Sequence, residues 1–304
     1  MGDFDITFIL CDNVSNYLNR GGCIIMANHI PEVLLNDGLN MPAIGFGTAW
    51  IKGTKGVQSL KTALDLGYRL IDSAFNYENE GVVGEAVRQG GVPRDQLFIT
   101  SKLPGRHHKY DEAIVTVQES LYRAGLDYYD LYLIHWPNPK VNLYVEAWQA
   151  LIDAQKQGLI RSIGVSNFLP EHLDRLVQET GVAPSINQIE LHPYYNQAEQ
   201  RAYHGKHGII TESWSPLGRG TDLLKNEQLG AIAAAHNKSI SQIVLRWHVQ
   251  LGAVPIPRSS SEEHQRENIN IFDFTLSDEE MKRIAEIPAT GPLWDQDPAV
   301  YEEF

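Results

Sequence analysis

Eight short strand-like segments alternate with stretches of helical periodicity and no break in composition, a pattern that predicts an α/β chain folded as a single (β/α)8 TIM barrel. Each candidate strand is followed by a candidate helix, so the strands are expected to run parallel with their C-terminal ends gathered at one rim. The open doubly wound alternative lacks its phosphate-binding turn. Gly45-Phe46-Gly47-Thr48-Ala49-Trp50 carries only the first Gly-x-Gly of the Gly-x-Gly-x-x-Gly fingerprint.

The chain should open on an N-terminal β-hairpin. Val33-Leu34-Leu35 and Leu39-Asn40-Met41 flank Asn36-Asp37-Gly38, and Asp-Gly supplies the positive φ angles of a tight turn. Strand-like cores then fall at 44–47, 69–72, 98–102, 131–135, 162–165, 186–189, 209–213 and 254–257. Helical periodicity marks the intervals, for example at 111–124, 144–157, 171–179 and 226–236. Residues 262–268 and an extra C-terminal helix at 277–287 follow the last strand, and Ser277 with Glu280 is a capping-box signal for that helix. A tail completes the chain. No linker divides residues 26–304, so one domain is expected there.

The first 25 residues read differently, with weak periodicity, no signal-peptide pattern and both cysteines, Cys11 and Cys23. Arg20-Gly21-Gly22 can be encoded by a purine-rich run that contains a bacterial ribosome-binding sequence, and Cys23 to Ile25 leave a suitable spacer before Met26. Two readings stay open: Met26 is the native start and residues 1–25 are a non-native leader, or the leader is a disordered tail. The body beyond it has no cysteine, hence neither a disulfide framework nor a thiolate metal site, which is compatible with the cytoplasm. A formal charge of −13 argues against nucleic acid or an anionic membrane as the main partner. No apolar run approaches the roughly 20 residues of a membrane span. No paired-histidine ligand motif is present, so no metal is expected.

Asp72, Lys102 and His135 each close a strand-like segment, and Tyr77 lies in the loop that follows Asp72. Together these four would make a proton-transfer site. An unperturbed tyrosine, with a pKa of about 10, is a poor acid at neutral pH. A lysine ammonium beside it favours the phenolate, and an ionised aspartate keeps that lysine charged and oriented. A neutral histidine can hydrogen-bond a substrate oxygen. Such a site supplies a proton to a carbonyl oxygen, and the carbon must then receive a hydride from a cofactor. Asp127, Asp130, Glu190 and His192 read as structural, and His107 and His108, in a rim loop just past Lys102, as solvated loop residues with substrate contact as the alternative.

Asp72-Ser73-Ala74-Phe75-Asn76-Tyr77, Lys102, Leu133-Ile134-His135-Trp136-Pro137, Ile163-Gly164-Val165-Ser166-Asn167-Phe168 and Asn187-Gln188-Ile189-Glu190-Leu191-His192-Pro193 together resemble the aldo-keto reductase family. Glu212-Ser213-Trp214-Ser215-Pro216-Leu217-Gly218 brings the chain nearest to its bacterial 2,5-diketo-D-gluconate reductase-like members. The resemblance implies an NADPH-dependent enzyme that reduces aldehydes or ketones, with dicarbonyls and keto-sugars as candidate substrates, and a monomer. It implies Tyr77 as general acid, Lys102 and Asp72 tuning it, and His135 orienting the carbonyl. Ser166, Asn167 and Gln188 would hold the nicotinamide carboxamide and Trp214 would stack on the ring. Gly47, Thr48, Ser215, Pro216, Leu217, Arg258, Ser259, Ser260, His264 and Asn268 complete the expected cofactor contacts. Trp50, Tyr77, His135 and Trp136 are candidate substrate walls, and the tail near Trp294 either folds over the site or lies at the periphery. A rival on the same fold is a non-catalytic, cofactor-sensing binding protein such as the β-subunits of potassium channels.

The cofactor site departs from the family pattern. There a lysine at the end of the last strand and an arginine in the following helix grip the 2′-phosphate of NADPH. Here these positions are Arg258 and His264. Arg258 preserves the cation, but histidine is largely neutral at pH 7 unless phosphate raises its pKa. Arg266 lies two residues on, about 200° around the helix. NADPH is therefore expected to be preferred, with NADH also used.

Overall fold

A computed structural model describes residues 30–304. The expectations about Met26 and residues 1–25 lie outside them. The hairpin pairs β1 (Glu32–Leu34) with β2 (Asn40–Pro42) in antiparallel register, Val33 opposite Met41. Gly38 takes φ +89 in the turn, where the Asp-Gly pair required it.

Eight strands follow: β3 (Gly45–Gly47), β4 (Leu70–Asp72), β5 (Phe98–Leu103), β6 (Tyr129–Ile134), β7 (Ile160–Ser166), β8 (Ile186–Glu190), β9 (Ile210–Trp214) and β10 (Ala253–Pro255). They pair in sequence order and in parallel, β3 to β10. The Gly47 amide donates to Pro257 O at 3.1 Å and so ties the first strand to the chain leaving the last. The Gly-x-Gly pair serves this closure. A Cβ on Gly45 would stand 2.7 Å from Leu70 Cγ and 2.8 Å from Ile256 Cγ2, and one on Gly47 would stand 2.8 Å from Ile256 O.

The helices are α1 (Gly53–Asp65), α2 (Glu80–Gln89), α3 (Tyr110–Ala124), α4 (Tyr144–Lys156), α5 (Pro170–Thr180), α6 (Ala198–Lys206), α7 (Glu227–His236), α8 (Ile240–Gln250), α9 (Glu262–Ile269) and α10 (Asp278–Ala285). The capping box that starts α10 forms as expected: the Glu280 amide donates to Ser277 Oγ and the Ser277 amide to Glu280 Oε2. The helices bury their apolar faces against the outside of the barrel, with Trp148 and Trp247 wholly enclosed.

Inside the barrel, Leu70, Phe98, Leu131, Leu133, Ile186 and Val254 form a second core, and Leu35 and Met41 of the hairpin pack into the same cluster. Asn36 Nδ2 donates to Pro184 O and Ser162 Oγ to Asp37 Oδ2, which pins the hairpin near the starts of β7 and β8. The hairpin therefore plugs the N-terminal end. Chemistry is left to the opposite rim, where barrels of this kind carry their active sites.

Candidate active site

Asp72 is the last residue of β4, Lys102 the penultimate residue of β5, and His135 follows β6 directly. Tyr77 closes a short 3-10 turn, Phe75–Tyr77, whose Tyr77 amide donates to Ala74 O. The barrel brings all four together. Lys102 Nζ donates to both carboxylate oxygens of Asp72, at 2.8 and 2.7 Å, and to Ser73 O at 2.8 Å. It lies 5.0 Å from the centre of the Tyr77 ring, and the Tyr77 and His135 rings meet edge to face at 5.9 Å.

Burial works against the Lys102 ammonium, but Asp72, Tyr77 and Glu212 outweigh it and hold its pKa above the ordinary value. The phenol of Tyr77 is also raised, chiefly by burial and further by Asp72 and Glu303, while Lys102 pulls the other way. Lys102 thus acts in the expected direction without prevailing. Tyr77 stays a protonated donor at neutral pH.

Around this group the cofactor candidates form one hydrogen-bonded sheet end. Ser166 Oγ donates to Gln188 O, and Asn167 Nδ2 donates to Ser166 Oγ and to His135 O. Asn167 holds φ +62, and its Oδ1 accepts from Trp214 Nε1 at 2.8 Å. Gln188 Nε2 donates to Asp72 Oδ2 at 2.9 Å and to Glu212 Oε2 at 2.7 Å. Glu212 is fully enclosed, and burial, then the neighbouring Asp72, lift its carboxyl well above the usual range. Ser215 (φ +48) opens a turn through which Pro216 O accepts from His248 Nε2, while Leu217 packs between the helical clusters.

The surroundings of three further expected contacts, Thr48, Trp50 and Trp136, and of the histidines that follow Lys102 are also defined. Thr48 is wholly buried with its hydroxyl donating to Asp72 O and accepting from Asn79, so its side chain braces the end of β4. Trp50 is 61% exposed at φ +63, with the Arg219 guanidinium 3.8 Å above its ring. Trp136 is buried and covered by Tyr301 at 4.5 Å. His108, expected to be solvated, is 1% exposed and its pKa is pushed down to about 4 by burial, so it is neutral; its loop meets the C-terminal segment, where the Gly105 amide donates to Glu303 Oε2. His107 is only partly buried, its Nδ1 within 2.8 Å of Thr116 Oγ1.

Arg258, Ser260 and His264 are exposed, Ser259 is half-buried, and Asn268 is buried four residues along α9 from His264. Ser261 caps this helix, and Arg266 pairs with Glu262 at 2.8 Å on the solvent side. Among the described residues no three His, Cys, Asp or Glu side chains cluster to hold a metal, and no helix is long and apolar enough to cross a membrane.

The tail is not peripheral. The Leu293 amide donates to Glu190 Oε1, and Trp294 stacks on Trp214 at 5.6 Å with 17° between the rings. Further on, Glu303 Oε1 lies 2.7 Å from His135 Nδ1. Neither Glu303 nor Glu212 was singled out by sequence reasoning. Glu212 could have been flagged as an acid inside an otherwise neutral strand, whereas nothing local to Glu303 signals its partner.

A half-buried phenol and a buried ammonium and carboxylate beside an imidazole, at the C-terminal rim of a (β/α)8 barrel, make a site suited to passing a proton to a substrate oxygen. The family follows from comparison with known proteins. The Aldo/keto reductase family signature matches residues 43–289. The 2,5-diketo-D-gluconic acid reductase B of Corynebacterium sp. (strain SHS752001) is 50% identical over 276 residues, 91% of this chain and 99% of that protein. An aldo/keto reductase from Brucella melitensis superposes with a TM-score of 0.82 at 45% identity, covering 84% of this chain and 98% of the other. A Bombyx mori aldo-keto reductase in complex with NADP superposes with a TM-score of 0.83 at 36% identity, covering 90% and 98%. The chain belongs to the aldo/keto reductase family, and it is a carbonyl-reducing oxidoreductase.

Proposed function

We infer that this protein reduces the carbonyl group of small dicarbonyls, keto-sugars or aldehydes to alcohols with NADPH. The observation that carries the reading is Lys102, saturated by Asp72 and Ser73 beneath the Tyr77 ring with His135 across from it. The relatives support the cofactor and the substrate class: one is a diketogluconic acid reductase and another binds NADP.

NADPH, when bound, supplies the hydride to the carbonyl carbon. Tyr77 gives its proton to the carbonyl oxygen, and Lys102 offsets the charge left on the phenolate. Asp72 keeps Lys102 charged and fixed. His135 orients the oxygen. Asn167, locked by Trp214 and Ser166, and Gln188, locked by Asp72 and Glu212, offer amide groups suited to a carboxamide. Arg258, together with the free amides where α9 begins, suits a 2′-phosphate. His264 and the carboxylates of Glu262 and Glu263 in the first turn weaken that grip, so NADH is also used. We place the enzyme in the cytoplasm as a monomer, which size-exclusion chromatography would check.

The test is isotopic. With NADPH deuterated at the transferable C4 position and a diketone, deuterium should appear on the new carbinol carbon. An alcohol that carries no deuterium at that carbon would refute the reading.

A further inference from the structure

Glu212 is an acid set among residues that otherwise serve packing. Its register partners are Gln188 on β8 and Val254 on β10. Val254 belongs to the apolar cluster inside the barrel, with Leu133 and Ile186. The charged groups that act on Glu212 are Asp72 of β4 and Lys102 of β5, while Gln188 and Val254 flank it without charge.

Among the described residues one donor reaches this carboxyl, Gln188 Nε2 at 2.7 Å from Oε2. The other hydrogen on that nitrogen goes to Asp72 Oδ2 at 2.9 Å, so one amide bridges two acids. Glu212 Oε1 is enclosed and meets no donor. The nearby cation is already committed. Lys102 Nζ directs its three N–H bonds to both oxygens of Asp72 and to Ser73 O, which leaves none for Glu212. An ionised carboxylate shut away from water needs a paired cation or several donors. A protonated one can accept from Gln188 through its carbonyl oxygen. The surroundings of Glu212 are therefore those of an uncharged acid. Burial, then Asp72, push its carboxyl up to about 8 against the smaller pull of Gln188 and Lys102.

We propose that Glu212 is a positioning residue of the catalytic cluster: uncharged, it holds Gln188 against Asp72 and leaves Lys102 a single counter-charge, and its ionisation is what ends proton donation by Tyr77 on the alkaline side. With Glu212 neutral, Asp72 balances Lys102, and the phenolate left by Tyr77 adds one negative charge to the cluster. With Glu212 ionised, two carboxylates share the one ammonium, and the phenolate becomes a second uncompensated charge. Like charges at close quarters oppose each other's ionisation. Glu212 acts on Lys102 directly and reaches Tyr77 only through it. Tyr77 itself titrates above its ordinary value of 10.0, so its own ionisation is not what ends activity nearer pH 8.

The proposal rests on the carbonyl-reductase reading, and two measurements keep them apart. In the cofactor-free full chain the Glu212 carboxyl carbon is followed by 13C NMR against pH. Its signal is assigned by its loss in Glu212→Gln or, should that variant fail to fold, in Glu212→Met. A midpoint near 8 is expected, and one at the ordinary 4.5 overturns the proposal. With NADPH and a diketone, kcat/KM of wild type should then fall about tenfold between about pH 7 and pH 9. Glu212→Gln, set against its own value at the lower pH, should change less than about twofold over that range. Glu212→Met, equally uncharged, should give the same flat profile from a lower kcat, because nothing then holds Gln188. An equal alkaline fall in wild type and both variants overturns the proposal. Absence of turnover in wild type would instead strike at the reductase reading and leave the carboxyl titration to decide the proposal.

Discussion

Lys102 has no solvent to fall back on, and its three acceptors account for all three of its N–H bonds. Lys102→Met should therefore do more than slow turnover. It leaves Asp72 buried with Gln188 as its remaining side-chain donor, and breaking one half of a buried pair costs about 3–5 kcal/mol. Urea denaturation should register that loss. At the cofactor end, His264→Arg should raise the NADPH-over-NADH ratio of kcat/KM by the equivalent of about 1–3 kcal/mol, the scale of a charge-assisted bond. An unchanged ratio would remove His264 from the phosphate site. Asp72, Lys102 and His135 were legible because each stands at the end of an apolar strand with a group that has no packing reason to be there. Glu303 was not: it sits 168 positions from His135, and only the folded path of the tail joins them. The net pKa of Tyr77 was also illegible, because burial depends on what closes over the ring.

Among the elements, the eight strands were read from apolar runs flanked by turns, with ends mostly within two residues of those found. The helix α6 shows the limit of periodicity. His204 is its one buried residue, so it carries no apolar stripe to read. The C-terminal segment is the other case, a stretch without regular structure whose seat is made by Asn138, Gly105 and Trp136. Its docking should be pH-dependent. Glu303 has a folded pKa near 2 against an ordinary 4.5, so its stabilisation is fully present above the ordinary value and disappears as pH falls through about 2. The amount is on the order of 3 kcal/mol. Urea unfolding of wild type and Glu303→Gln should differ at pH 7 and converge as pH approaches 2; a constant gap would mean that the carboxylate charge contributes nothing.

The whole barrel depends on a close seam between β3 and the end of β10. Gly45→Ala places a methyl carbon against Leu70 and Ile256, and overpacking of this kind costs about 1–3 kcal/mol. Because the seam closes the sheet, thermal unfolding should remain a single transition at a lower temperature; a separate early transition would show that the seam is not part of the common core. The same closure gathers Asp72, Tyr77, Lys102 and His135 at one rim, and the account stands on their acting together. The most direct measurement is NADPH oxidation by the full chain and by Tyr77→Phe across dicarbonyls, keto-sugars and aldehydes, with cofactor binding followed by tryptophan fluorescence. Turnover reduced about 10²–10⁴-fold in Tyr77→Phe with cofactor binding intact is the predicted result. Equal turnover in the two proteins would contradict it.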